Sequence, residues 1–351
     1  MCENLDDNIG RLLNQLDELN LAGDTIVLFL TDNGPNSDRY NGGMKGRKGS
    51  CHEGGIRVPL FIRWSGHIAP GTKVSQIAAH IDLLPTLVEL CGVPLPEILP
   101  LDGVSLVPLL EGATANWPKR MIFSHWERRS SVRTERWRAV VEGKEWELYD
   151  MIADPGQQED LAGRHPVVLT ELSASYEAWL RDVTRAGFDP IPIPIGHPQR
   201  REVVLPGHEA FLEPPDRKGI SYNGRAGWAN DWVTNWTSTD ACPYWEVDVV
   251  RAGRFEITLM YTCPEPDIGA QLLVEVGGQR LECIIEKAHA PDPIPSPDRV
   301  ERKEVYEKAW APLTLGTVTI PKGRTRLYVR ALTRPGRTVI DLKAVRLRQV
   351  D

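Results

Sequence analysis

The chain has 351 residues, 41% of them hydrophobic and 25% charged, with a formal net charge of −7. A chain of this size buries a core without a disulfide framework or a structural metal, and two domains are expected. The acidic balance argues against a nucleic-acid or membrane-surface binder, and the longest apolar run, Ile26 to Leu30, falls far short of the ~20 residues of a membrane-spanning helix.

The first residues already lie in an amphipathic pattern, with Leu5, Ile9, Leu12, Leu13, Leu16 and Leu19 at helical spacing. No basic, apolar and small-residue leader precedes it, and no capping residue does either. The chain is therefore expected to lack an upstream portion. The helix is predicted to end at Gly23, followed by a short buried strand from Thr25 to Thr31. A glycine-rich loop from Asp32 to Gly55 is too long for a mere connector. A second apolar strand is predicted from Pro59 to Trp64, and then a helix opened by Asp82 as N-cap, with Leu84, Leu87, Val88 and Cys91 as its apolar stripe. Buried strands alternating with helices predict an α/β layered fold with a largely parallel sheet.

From Phe123 to Tyr149 the pattern changes to short alternating runs such as Trp137–Val141 and Trp146–Tyr149, which predict a small antiparallel sheet. An amphipathic helix follows, with Val168, Leu172, Tyr176, Trp179 and Val183 on one face, ending near Gly187. Residues 188–200, which include Pro190, Pro192 and Pro194, read as an extended linker. Beyond it, residues 201–351 are strand-like: Tyr244–Val250, Arg254–Tyr261, Gln271–Val276, Gly316–Ile320, Arg324–Ala331 and Thr338–Leu347 alternate with turns. A β-sandwich of jelly-roll type is expected there. The 11 tryptophans and 28 prolines fit such a β-rich, loop-rich half. The six cysteines form no CxxC pair and no zinc-like cluster, and read as buried or free thiols.

Three stretches carry chemistry. Thr31-Asp32-Asn33-Gly34-Pro35 follows a buried strand, where open α/β sheets bind ligands. A carboxylate beside an amide oxygen suits a hard cation such as Ca²⁺ or Mg²⁺, although the same residues also make an ordinary turn. In Met44 to Ser50, Lys45, Arg47 and Lys48 are interleaved with glycines and can face an oxyanion, or else form a solvated basic loop. Glu53-Gly54-Gly55-Ile56-Arg57 is read as mainly structural, with an internal Glu53–Arg57 ion pair.

In this order these stretches resemble the C-terminal part of the catalytic domain of the sulfatase family, within the alkaline-phosphatase-like superfamily. The segments Glu3–Leu19, His80–Val93 and Leu148–Ala162 extend the resemblance, which covers residues 1 to about 185. The resemblance implies that Asp32 and Asn33 are ligands of an active-site Ca²⁺ (or Mg²⁺). It also implies that Lys48 contacts the sulfate group, stabilising negative oxygens most in the transition state. Arg47 and Lys45 flank it as substrate-recognition candidates. His125 and Trp126 are candidates for lining a substrate pocket, because aromatic and cationic neighbours suit sulfated sugars, but they also read as a strand end. His52 is read as a loop residue.

The departures from the family pattern are as informative. No C-x-P-x-R or S-x-P-x-R pentapeptide, the source of the family's formylglycine nucleophile, occurs in the sequence; Cys263-Pro264 and Ser296-Pro297-Asp298-Arg299 are out of pattern. The upstream aspartate pair, lysine and histidines of the family are missing as well. The resemblance therefore implies a sulfuric ester hydrolase, arylsulfatase-like and acting on sulfated glycans, represented by a truncated chain that does not turn over by itself. The whole protein is expected to be periplasmic or secreted. In the β half, Trp228, Trp232 and Trp236 are candidates for stacking on sugar rings, as in carbohydrate-binding modules, with burial in a core as the competing reading. The rival functions are a phosphodiesterase or phosphonate hydrolase of the same superfamily, and a non-catalytic carbohydrate-binding remnant.

Overall fold

The computed structural model describes residues 2–37, 40–95, 100–115, 117–224, 227–296 and 305–350; Pro297, Asp298 and Arg299, noted above, lie outside them. The chain divides into two units, Met1–Gly187 and Phe188–Asp351.

The first unit is mixed α/β with separate sheets. Its periodic leucines form helix α1 (Cys2–Glu18), in which no residue is fully buried. Strand β1 (Val27–Leu30) and the short helix α2 (Glu53–Ile56) precede strand β2 (Leu60–Arg63). The two strands pair antiparallel, Val27 opposite Arg63 and Leu30 opposite Leu60. The expected largely parallel arrangement is thus not what the described residues form. The reason lies in the intervening loop, which folds back on itself: Gly34 N–H donates to Gly55 C=O at 2.9 Å, so β2 returns directly beside β1 without a crossover helix.

Helix α3 (Leu83–Leu90) follows a single 3₁₀ turn, and a further short helix, α4, spans Val107–Leu110. Asp82 does not cap α3 with its side chain, contrary to expectation. Its carboxylate is instead fully buried, accepting from Ala79 N–H at 2.7 Å, from Val104 N–H at 2.9 Å and from both Nη atoms of Arg120 at 2.8 and 2.9 Å. A buried charge demands such partners. The helix accordingly turns Pro85 and Thr86 inward, while Leu84 and Cys91 of the expected stripe stay exposed.

A four-stranded antiparallel meander follows: β3 (Ile122–Trp126), β4 (Arg129–Arg133), β5 (Trp137–Val141) and β6 (Glu147–Asp150), paired in chain order. Helix α5 (Pro166–Val183) lays Leu172 and Tyr176 against Val132, Ala139 and Leu148, with Trp179 stacked on Phe123 at 5.1 Å. Each such buried aliphatic side chain contributes roughly 1.5–3 kcal/mol relative to exposure.

The second unit is a β-sandwich. Its strands are β7 (Ile193–Ile195), β8 (Glu202–Pro206), β9 (Phe211–Glu213), β10 (Ser221–Tyr222), β11 (Val233–Thr234), β12 (Cys242–Val249), β13 (Gly253–Thr262), β14 (Gln271–Val276), β15 (Gln279–Ile284), β16 (Ala311–Ile320), β17 (Gly323–Ala331) and β18 (Asp341–Gln349). One sheet runs β10-β11-β18-β13-β16 with β8 beside β18, the other β15-β14-β17-β12-β7 with β9 beside β12. Alternation along the strands sends Val203, Leu205, Phe255, Ile257, Leu259 and Leu347 of one sheet into the same core as Trp245, Val247, Leu272, Val274 and Leu327 of the other. Residues 193–195, expected in a linker, form the edge strand β7, parallel to β12. Pro194 is tolerated there because an edge strand has one unpaired side.

Trp236, in this core, and Trp232, buried elsewhere in the unit, are corrected by their burial. Trp236 is fully buried, its Nε1–H donating to the carbonyls of Ser238 at 3.0 Å and Ala241 at 2.9 Å. Trp232 is 4% exposed, edge-on to Trp310 at 5.2 Å with Lys308 Nζ 4.9 Å from its ring centre. Neither presents a face to a sugar. Trp228 is half-buried.

Candidate active site

The turn Asp32–Pro35 begins where β1 ends, and a set of close glycine contacts joins it to the basic loop. Gly34 and Gly54 pack so closely that a Cβ on Gly34 would collide with the Gly54 carbonyl oxygen. Gly55 and Gly54 are hemmed in by the backbones of Ser50 and Gly46 in the same way. Lys48 N–H then donates to Pro35 C=O at 2.9 Å, and Gly54 N–H to Lys45 C=O at 2.8 Å. The glycines of the two motifs are therefore packing requirements that bring the Asp32-Asn33 turn and the Lys48 segment together.

Asp32 is exposed and Asn33 half-buried, and neither side chain has a polar partner among the described residues. Close by, His80 Nε2–H donates to Thr31 C=O at 3.1 Å, a neighbour that its place at a predicted helix entry did not suggest. Lys48 is exposed, and its ammonium likewise has no partner among the described residues. Arg47 is exposed on the same loop. Among the described residues, no group of three or more His, Cys, Asp or Glu side chains is placed to hold a metal ion. Asp32 and Asn33 fit a hard cation as two adjacent, uncommitted oxygen donors, which is part of the six to eight that Ca²⁺ takes.

Lys45 is not presented in this way. Its Nζ donates to Tyr149 Oη at 2.6 Å and to Glu147 Oε2 at 3.1 Å, and lies 5.0 Å from the Tyr149 ring centre. That internal network commits the ammonium and corrects the expectation of a substrate contact. Burial works against the Glu147 carboxylate, but hydrogen bonds from Tyr149 and Lys45 outweigh it and hold its pKa below the usual range. The Tyr149 hydroxyl is pushed well above its ordinary value by burial and by Glu147.

His52 sits beneath this cluster, 6% exposed, with Nε2 3.5 Å from Glu147 Oε2 and Nδ1 accepting from Gln157 Nε2 at 3.2 Å. Burial, followed by the Lys45 ammonium, lowers its pKa and keeps the imidazole neutral. Gln157 uses its Oε1 to accept Glu53 N–H at 2.7 Å. Glu53 does meet Arg57, at 3.5 Å, but its shorter partner is Arg138, at 2.6 Å, both side chains 5% exposed. Burial lowers the Arg138 pKa, with Glu53 opposing that shift. The loop is thus floored by residues of β5 and β6 and of the turn after them. The Leu148–Ala162 segment of the resemblance was the available signal for Tyr149 and Gln157, and the strand-like run Trp146–Tyr149 for Glu147; their partners lie about a hundred residues earlier.

Glu142 holds the loop from another side, accepting Ser50 Oγ–H at 2.7 Å and the N–H of Cys51. Burial and then Glu142 push the Cys51 thiol up to about 11, and at 3% exposure the side chain packs in the core with Val140, Tyr149 and Met151. His125 Nδ1 engages Tyr176 Oη at 2.7 Å and Ser130 Oγ at 3.1 Å. Trp126 lies against Gly49, immediately after Lys48, and is 49% exposed. Of the two substrate-pocket candidates on β3, Trp126 is the one placed at the basic loop.

Comparison with known proteins gives a consistent picture. A family model described as Sulfatase matches residues 1–93. The chain is similar to human arylsulfatase A, with 38% identity over 182 residues, 48% of this chain and 35% of the relative. It is similar to the N-acetylgalactosamine-6-O-sulfatase of Bacteroides thetaiotaomicron, with 30% identity over 204 residues, 50% of this chain and 40% of the relative. The crystal structure of Ps i-CgsB in complex with k-i-k-neocarrahexaose is also similar, at 28% identity and a TM-score of 0.46, over 50% of this chain and 40% of that one. The chain thus spans about two-fifths or less of the length of these relatives. No described helix is long and apolar enough to cross a membrane.

Proposed function

Residues 1–93 are sulfatase-family sequence, and on that premise we propose that the chain supplies the cation- and sulfate-binding part of a sulfuric ester hydrolase acting on sulfated glycans. The observation that supports this reading is the Lys48 N–H···O=C Pro35 bond, which ties the Lys48 backbone to the Asp32–Pro35 turn, with the exposed Lys48 ammonium without a partner among the described residues. Lys48 would bind the non-bridging sulfate oxygens, and Asp32 and Asn33 would hold Ca²⁺, or Mg²⁺, through oxygen. When bound, the cation supplies Lewis-acid stabilisation of charge on the reacting oxygens. Arg47, at the loop surface, and the exposed part of Trp126 would contact the sugar that carries the sulfate.

The relatives named as acting on an amino-sugar sulfate support a glycan substrate, as does the Trp126 face beside Lys48. A periplasmic or secreted location goes with that substrate. In the second unit, Trp228 remains the stacking candidate after burial has removed Trp232 and Trp236 from that role.

Complementation tests the reading. The sequence holds no C-x-P-x-R or S-x-P-x-R pentapeptide, so the chain alone is expected to release no sulfate from an aryl sulfate. Fused behind a sulfatase segment that bears the pentapeptide, it should do so, and Lys48→Ala or Asp32→Ala should each cut the rate by about 10²-fold. An active fusion indifferent to both substitutions overturns the proposal. A fusion that prefers aryl phosphate diesters would point to the phosphodiesterase branch of the same chemistry.

A further inference from the structure

The tip of the β3–β4 hairpin meets the basic loop at the residue after Lys48. Gly49 adopts φ +87, in the left-handed region that favours glycine. Its carbonyl accepts Arg129 Nη1–H at 2.6 Å. The Trp126 ring covers its α-carbon so closely that an added Cβ would lie 2.7 Å from Cζ3. Arg129 in turn stacks its guanidinium 5.1 Å from the centre of the Trp126 ring. Trp126 and Arg129 are the last paired residues of the hairpin, and the turn between them holds Glu127 at φ +57, where a non-glycine residue is strained. The hairpin tolerates that strain while keeping both side chains on Gly49.

Lys48 is therefore fixed on both flanks while its side chain stays clear. Its own N–H is bound to Pro35, and the peptide that follows is clamped by an arginine and roofed by an indole. A long flexible ammonium gains affinity for an oxyanion only when its stem leaves the backbone in a fixed direction, because ordering it otherwise costs rotamer entropy. We infer that Trp126 and Arg129 are positioning residues for Lys48, acting on sulfate through the Gly49 turn. The inference rests on the reading of Lys48 as the sulfate contact and adds which residues make that contact effective.

The test uses the full chain with inorganic sulfate as probe. Acylation of Lys48 by an N-hydroxysuccinimide ester is followed by mass spectrometry across a sulfate titration, with the exposed Lys119 and Lys322 as internal controls. Sulfate should protect Lys48 and leave both controls unaffected. Arg129→Ala and Trp126→Ala should raise the sulfate concentration for half-protection by about tenfold or more. Trp126→Phe, which still covers Gly49, should stay near the parent value, a rescue that a general loss of stability would not give. If Trp126→Ala does not fold, Arg129→Gln, at the half-buried first position of β4, carries the test. Unchanged half-protection in the folded Arg129 variants overturns the positioning role and leaves Lys48 as the sulfate contact. Absence of protection in the parent chain overturns the Lys48 reading, and the inference with it.

Discussion

The backbone N–H of Lys48 donates to the carbonyl of Pro35 at 2.9 Å, tying the basic loop to the Asp32–Pro35 turn across thirteen positions of sequence. Two motifs that taken singly also read as an ordinary turn and a solvated basic loop are thereby joined through their backbones. The glycines make this approach feasible, and they give the first prediction.

Gly34→Ala should destabilise the first unit by about 1–3 kcal/mol, because its Cβ would meet the Gly54 carbonyl, which is backbone and cannot step aside. Urea denaturation monitored by tryptophan fluorescence measures this. Wild-type stability in the variant would mean that the Asp32–Pro35 turn is not packed on the EGG segment.

The Glu53–Arg138 pair is buried on both sides, so removing one partner strands the other charge. Glu53→Ala should cost about 3–5 kcal/mol. Substituting both positions with apolar residues of similar volume should restore much of the loss. If the single change is nearly neutral in urea denaturation, the pair does not floor the loop.

Acid sensitivity follows from His52. Burial and the Lys45 ammonium hold its folded pKa below the ordinary 6.5. Above about 6.5 the imidazole is neutral in both folded and unfolded chains, and its contribution is complete. As pH falls below that value the unfolded state takes up the proton first, so stability drops until the folded-state pKa is passed. Glu147 acts lower: its pKa is held below 4.5, and its contribution is lost only as pH falls below that value. Thermal unfolding should show Tm falling between pH of about 7.5 and 5.5 more steeply for the parent chain than for His52→Gln. Parallel curves would refute a buried neutral His52.

Trp236→Ala should cost about 3–5 kcal/mol, the usual range for deleting a core aromatic. A change of a few tenths would place the indole outside the core.

Local pattern carried the fold a long way. The 3.6-residue spacing of Leu5 to Leu19 and of Val168 to Val183 located both long helices, and period-two alternation located β5, β12, β13, β14 and β17 to within two residues of each end. What it missed were features decided by distant partners. Pro194 reads as a linker residue until β12 offers it an edge, and Asp82 reads as a helix cap until Arg120 and Val104 N–H claim its oxygens. Trp236 is the same kind of miss, because an indole whose Nε1–H finds two carbonyls within five residues has no need of a ligand. For the candidate site, the order and type of Asp32, Asn33 and Lys48 were legible as an expectation. Its floor was not, because Glu147, Tyr149 and Gln157 meet Lys45, His52 and Glu53 only through the tertiary fold.

The account stands most directly on Lys48. Isothermal titration of inorganic sulfate into the chain, with Ca²⁺ present, measures it. The account predicts binding that Lys48→Ala weakens by about tenfold or more while thermal stability stays unchanged. Equal affinity in the parent chain and the folded Lys48→Ala variant would contradict it.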